Sequence, residues 1–173
     1  MTENSAQTEQ FTGIILLTGV DKPGIAAALF ETLAPFAVHV IDVEQLINNN
    51  RLILTVLLGA NPAHQSAIEE DLNTCAAELD VDIATLFGKT EIPLVAQGLL
   101  KILITSPKLH PKALASVTQS LAHCGANIER FARTSDAPVS IEITVSRVSK
   151  EKVESVLSSL SFEDSTTISL SEG

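Results

Sequence analysis

Thr18-Gly19-Val20-Asp21-Lys22-Pro23-Gly24-Ile25 is the stretch on which the reading of the chain turns. The apolar run Ile14-Ile15-Leu16-Leu17 precedes it and reads as a strand; residues 26–36 follow it and read as a helix. Each residue type suits a strand-to-helix turn. Asp21 is expected to accept backbone N–H bonds as an N-cap. Pro23 has φ preset for a first helical turn and lacks an N–H that would be unpaired there. Gly24 has no Cβ, so the backbone can come close to a ligand or another chain. Free N–H groups at a helix start attract a carboxylate or a phosphate. A turn of this composition also serves as a plain connection.

Outward from the turn, residues 12–18 are the first strand. Ile25, Leu29, Leu33 and Phe36 recur at helical spacing. Residues 38–47 and 51–58 read as a hairpin around Asn48-Asn49-Asn50, since Asn tolerates positive φ. Asn61-Pro62 opens a second helix with Ile68, Leu72, Cys75 or Ala76, and Leu79 inside, and residues 82–87 form a short strand. Then the order begins again. The second pass has a strand at 98–105, a helix at 111–124 stopped by Gly125, and strands at 127–134 and 139–145 around Ser135-Asp136. A helix opened by Ser149 and a last strand at 165–170 complete it.

Both passes read βαββαβ, offset by roughly 88 residues, with pairs such as Ile14 and Ile102 near that offset. The expected class is α+β: two ferredoxin-like split βαβ repeats, each an antiparallel sheet with helices on one face. The expected divisions are a disordered leader at 1–10, repeat 1 at 11–88, a linker at 89–97 and repeat 2 at 98–173. A sheet covered on one side leaves an open face and two edges, which favours pairing and a homodimer.

Composition narrows the function. Hydrophobic residues are 45% of the 173, aromatics 3%, with no Trp or Tyr, so the core is aliphatic. Eleven Lys+Arg stand against 21 Asp+Glu, a net charge of −10, which argues against a nucleic-acid partner. No run is apolar for the roughly 18 residues a membrane helix needs, and the polar N-terminus lacks the order of a signal peptide. The two cysteines, Cys75 and Cys124, are too few for a disulfide framework, and the simplest setting is a reducing cytoplasm.

Asp21-Lys22-Pro23-Gly24-Ile25 resembles the D-x-P-G turn of ACT domains, small regulatory modules many of which bind amino acids at this turn. More specifically, the chain resembles the N-terminal tandem ACT region of actinobacterial SerB-type phosphoserine phosphatases. Ala27-Ala28-Leu29-Phe30-Glu31, Val43-Glu44-Gln45 with Arg51-Leu52, Gly125-Ala126-Asn127-Ile128 and Ser135-Asp136-Ala137-Pro138-Val139 carry that likeness. It implies allosteric regulation of serine biosynthesis, with L-serine as ligand. In that family a Mg2+-dependent phosphatase domain of the haloacid-dehalogenase type, opening on D-x-D-x-[TV], follows the second repeat. The sequence is therefore expected to be a regulatory fragment with no cofactor and no catalytic residue of its own, in an enzyme whose catalytic part lies elsewhere.

The resemblance also implies the ligand residues. Asp21, Lys22, Pro23, Gly24 and Ile25 match the turn of one module, and Asn127 and Ile128 match the second-strand position of its neighbour. Repeat 2 has Leu109-His110-Pro111-Lys112 in place of the turn, and repeat 1 has His39 in place of Asn127. Each repeat keeps half of the pattern, so the expectation is one combined site. Asp80-Val81-Asp82 spells D-x-D but continues into Ala84 after a helix, the wrong context for a phosphoryl acceptor. His39, His64, His110 and His123 have no metal-ligand spacing. Two other readings stand beside the first: a stand-alone two-ACT regulator resembling the glycine-cleavage repressor, and a dimerisation module without ligand.

Overall fold

The computed structural model describes residues 9–91, 98–162 and 165–173, and in it the apolar run ahead of the turn is an interior strand of a sheet. β1 (Glu9–Val20) pairs antiparallel with β3 (Arg51–Gly59) on one side and with β4 (Asp82–Glu91) on the other. β2 (His39–Asn48) completes the order β2-β3-β1-β4. Pleating sends Ile15 and Leu17 to one face, both 0% exposed, and Ile14 and Leu16 to the other, 47% and 38% exposed. α1 (Ile25–Leu33) and α2 (Gln65–Leu79) cover the first face. There Leu29, Leu33, Ile68 and Leu72 pack on Ile15, Leu17, Leu54 and Val56.

The second pass repeats this plan. β5 (Leu100–Ser106), α3 (Pro111–His123), β6 (Asn127–Asp136), β7 (Val139–Ser146), α4 (Lys150–Ser158) and β8 (Thr167–Glu172) build a sheet of order β6-β7-β5-β8. Its core holds Ile102, Ile104, Ile143 and Val145 from the sheet, with Val117, Leu121, Val153 and Leu157 from the helices. The chain divides into two compact units, Met1–Ile92 and Pro93–Gly173. Two antiparallel four-stranded sheets with two helices each give the expected α+β, ferredoxin-like class.

Several boundaries differ from expectation, each for a physical reason. Glu9 and Gln10, expected in the leader, pair in β1 with Glu91 and Thr90, and residues 89–91, expected in the linker, belong to β4. Each of these strands extends as far as the other can satisfy its backbone. Phe11 stacks on Phe87 at 6.2 Å, and the Thr12 hydroxyl donates to Thr90 Oγ1 at 3.1 Å. The rest of the leader, 1–8, and of the linker, 92–97, lie outside the described residues. β6 runs to Asp136, so the hairpin connection is Ala137-Pro138 rather than Ser135-Asp136. Ile14 and Ile102 are not equivalent, because Ile102 is buried in the core while Ile14 lies on the open face. Ile15 is the matching position, since a slip of one residue reverses the face.

Candidate functional site

The turn of unit 1 is built differently from the N-cap read in its sequence. α1 starts at Ile25, its N-cap is Gly24, and no side chain caps it. Asp21 is therefore not the cap, and Lys22 and Pro23 stand outside the helix. The cause is Gly24 itself. Its φ of +95° ends the extended segment with a left-handed residue, a conformation that L side chains rarely adopt. A Cβ placed there would meet nothing within 4 Å, so the surface at Gly24 is open. The Asp21 backbone N–H donates to the Asn50 carbonyl at 3.0 Å, which ties the turn to the β2–β3 hairpin. Asn49 and Asn50 form that hairpin with positive φ, as their sequence predicts. Lys22, Pro23 and Gly24 are exposed, Asp21 is half-buried and Ile25 is anchored in the core. The start of α1 thus has no side-chain cap, and Asp21 stands three residues before Gly24 on a turn tied to the hairpin.

In unit 2, Asn127 opens β6 and is exposed, with Ile128 beside it at 37%. The Asn127 amide Nδ2 donates to Glu129 Oε1 at 2.6 Å. The hydroxyl of Ser146, almost fully buried on β7, donates to the same oxygen. These two bonds, Ser146 first and Asn127 second, hold the Glu129 carboxyl below its ordinary value, and the Arg147 cation adds to them. The pairing of β6 with β7 shifts register between Ile128 and Arg130, a β-bulge that re-aims Glu129 toward its two donors. Unit 1 has a bulge at the corresponding place, between Val40 and Asp42, and there His39 Nε2 lies 2.9 Å from Gln10 Nε2. The Asn127 amide thus has an N–H engaged by Glu129. Glu129 and Ser146 were not singled out in the sequence. The spacing Asn127, Glu129 was available as a signal, but the bulge was not.

The turn residues 21–25 belong to unit 1, and Asn127 and Ile128 belong to unit 2. Asp80 caps the C-terminus of α2 with φ +56° and Asp82 opens β4, so the D-x-D sequence occupies a helix-to-strand turn. Among the described residues, no group of three or more His, Cys, Asp or Glu is placed to hold a metal ion, and no helix is long and apolar enough to cross a membrane.

Residues 12–85 match one ACT domain model and residues 101–171 match another. The chain belongs to the ACT domain family. Its tandem ACT units are 29% identical over 153 residues to a phosphoserine phosphatase of Streptomyces coelicolor, covering 84% of this chain and 36% of that protein. They are 31% identical over 137 residues to phosphoserine phosphatase SerB2 of Mycobacterium tuberculosis, covering 77% and 33%. The chain spans about a third of the length of these curated relatives. Among solved structures, a candidate glycine cleavage system transcriptional repressor superposes with a TM-score of 0.72 at 13% identity, covering 95% of this chain and 99% of that one. A protein of Galdieria sulphuraria gives 0.74 at 17% identity, covering 96% and 99%. At those identities the likeness is one of fold. The chain is thus homologous to the ACT region of phosphoserine phosphatases.

Proposed function

We propose that the tandem ACT chain is the amino-acid-sensing region of a phosphoserine phosphatase, with L-serine as its ligand. One observation carries this reading: two phosphoserine phosphatases match 84% and 77% of this chain, whereas it makes up only 36% and 33% of theirs. That is the proportion of a regulatory part joined to a larger catalytic one. Serine is the product of phosphoserine hydrolysis, so a serine sensor would report product to the enzyme.

A free amino acid presents a carboxylate and an ammonium. In this proposal the uncapped N–H groups after Gly24 receive the carboxylate and Asp21 accepts from the ammonium. Lys22 and Pro23 shape the turn and Ile25 anchors it. In unit 2, Asn127 and Ile128 are the residues that the family likeness assigns to ligand contact. Regulation follows if two arrangements of the protein differ in serine affinity, since a ligand shifts an equilibrium only by that difference. The protein acts as a homodimer in this proposal. The exposed apolar side chains of β2 and of the open sheet face in unit 1 support self-association.

Thermal unfolding with each of the twenty amino acids tests the reading. A ligand at 100 times its dissociation constant stabilises by roughly 2.7 kcal/mol. For a chain of this length that raises the midpoint by about 5–10 °C. A rise with serine alone is expected. No rise with any amino acid would leave a ligand-free dimerisation module. Reading onward in the gene for D-x-D-x-[TV] separates the phosphatase assignment from a stand-alone two-ACT regulator.

A further inference from the structure

We propose that Glu129 is a specificity-determining residue of the amino-acid site. It accepts from the ligand's ammonium and turns away ligands with an anionic side chain, O-phosphoserine among them. This rests on the serine reading above and deepens it, because the family likeness assigns only Asn127 and Ile128 to ligand contact in unit 2. Placement, anchoring and charge support it.

Placement comes from the bulge. Ile128 stands opposite Val145 and Arg130 opposite Thr144, so Glu129 is the extra residue of β6, with no partner on β7. Its Oε1 lies 2.6 Å from the Asn127 amide Nδ2. A molecule that meets the Asn127 amide therefore meets this carboxylate as well.

Anchoring comes from the sheet. The Ser146 hydroxyl, on an interior strand and 2% exposed, donates to the same Oε1. Both donors thus fall on one oxygen of the carboxylate, and in this proposal Oε2 is the one that accepts from an ammonium. A side chain already held in place loses less entropy when a ligand binds.

Charge completes the argument. Glu129 is exposed and is in no ion pair among the described residues. Its bonds to Ser146 and then Asn127, with a smaller aid from the Arg147 cation, keep it ionised at neutral pH. The residues outside the described set, 1–8, 92–97 and 163–164, contain no Lys, Arg or His, so no side-chain cation among them can cancel this charge. The fold does not require it, since Ile41 holds the place in unit 1. An ammonium has three N–H groups, so Asp21 and Glu129 can both accept from it. A like charge works the other way. At about 5 Å in water one like-charge pair weakens binding roughly fourfold, and a phosphate monoester adds nearly two charges. Repulsion of that size is a means of selecting one ligand against another.

The test is calorimetric titration of the whole chain with L-serine, L-aspartate and O-phospho-L-serine at about pH 7.5, where the monoester is nearly doubly charged. Wild type should prefer serine to O-phosphoserine by at least about tenfold, with aspartate between them. Glu129→Gln should weaken serine severalfold and shrink that preference by roughly tenfold. Glu129→Asp, which keeps the charge, should restore the preference even where serine binds less tightly. A merely structural role would weaken all three ligands alike and leave their ratio unchanged, and that result would overturn the proposal. So would a wild type that binds O-phosphoserine as well as serine. Serine binding with equal affinity and selectivity in wild type and Glu129→Gln removes Glu129 from the site and leaves the serine reading standing. A wild type that binds none of the three removes both.

Discussion

The two units share one topology and differ in what they show to solvent. Both sheets bury the same kind of face, Ile15, Leu17, Leu54 and Val56 in one and Ile102, Ile104, Ile143 and Val145 in the other. Their open faces are unlike. In unit 1, register places Ile14 opposite Leu86 and Leu57, Leu16 opposite Ala84 and Thr55, and Leu46 opposite Ile53, with Leu86 70% exposed. In unit 2 the same positions hold Lys101 opposite Thr144 and Ser171, Leu103 opposite Glu142 and Ser169, and Thr105 opposite Ser140 and Thr167. The turns differ too. Pro111 stands inside α3 at its start with His110 as a capping side chain, whereas Pro23 stands outside α1 because Gly24 takes a left-handed φ. The cap read for the first repeat is realised in the second. A duplicated fold keeps its buried pattern, because packing fixes it, and is free to change its open face and its turns, where partners and ligands act.

The largest effect should come from the shared part. Leu54→Ala in unit 1 and Ile143→Ala in unit 2 each remove a side chain at or below 1% exposure. Each should cost about 2–5 kcal/mol in urea unfolding. A cost below about 1 kcal/mol in only one of them would show that the two cores are not equivalent. Next is the part that differs. Leu86→Lys on the open face of unit 1 should weaken self-association by roughly 10-fold or more, since burying a leucine is worth about 1.5–3 kcal/mol. Leu103→Lys in unit 2 should leave it unchanged. Sedimentation across a dilution series reads both, and equal effects would erase the contrast between the faces. Gly24→Ala follows, at about 1–2 kcal/mol, because Ala must adopt the positive φ. The cost is strain and not crowding, since a Cβ at Gly24 meets nothing within 4 Å. Lys112→Ala, in the first turn of α3, should change stability by only a few tenths of a kcal/mol, in the favourable direction, because alanine is the better helix former.

Much of this was legible in the sequence because it rests on local pattern. The unbroken apolar run Ile14 to Leu17 marked an interior strand, and Ile68 and Leu72 with Cys75 or Ala76 marked a stripe in which the structure buries Ile68, Leu72 and Cys75. Asn61 with Pro62 marked a helix start, and the Asn61 side chain does accept from the Ala63 N–H at 2.9 Å. What failed rests on partners distant in sequence. The extents of β1 and β4 depend on each other, and no window around Glu9 contains Thr90. Gly24 was read as room for a ligand, yet its φ also removes Asp21 from the cap. Alternation puts Asn127 and Glu129 on one face of β6, but the Ser146 contact depends on the register with β7, which shifts at the bulge and cannot be read from β6 alone.

That carboxylate gives the smallest prediction and one that separates the two bulges. Unit 1 has Ile41 where unit 2 has Glu129, so only unit 2 has an ionisable tie at this place. The Glu129 carboxyl titrates below its ordinary value of 4.5 in the folded chain, chiefly through the Ser146 hydroxyl and then the Asn127 amide. A depressed folded value means that the tie contributes stability above the unfolded value and loses it as pH falls through the folded one. Glu129 is exposed, so solvent screens the contribution and it should be small. Wild type should therefore exceed Glu129→Gln slightly in midpoint at neutral pH, and the gap should close as the pH drops below about 4. Substituting Ile41 should leave the acid limb of the profile unchanged. A gap of the same size at both ends of the range would mean that glutamine merely packs less well. In that case the bond to Asn127 is structural, and its amide is not held by charge.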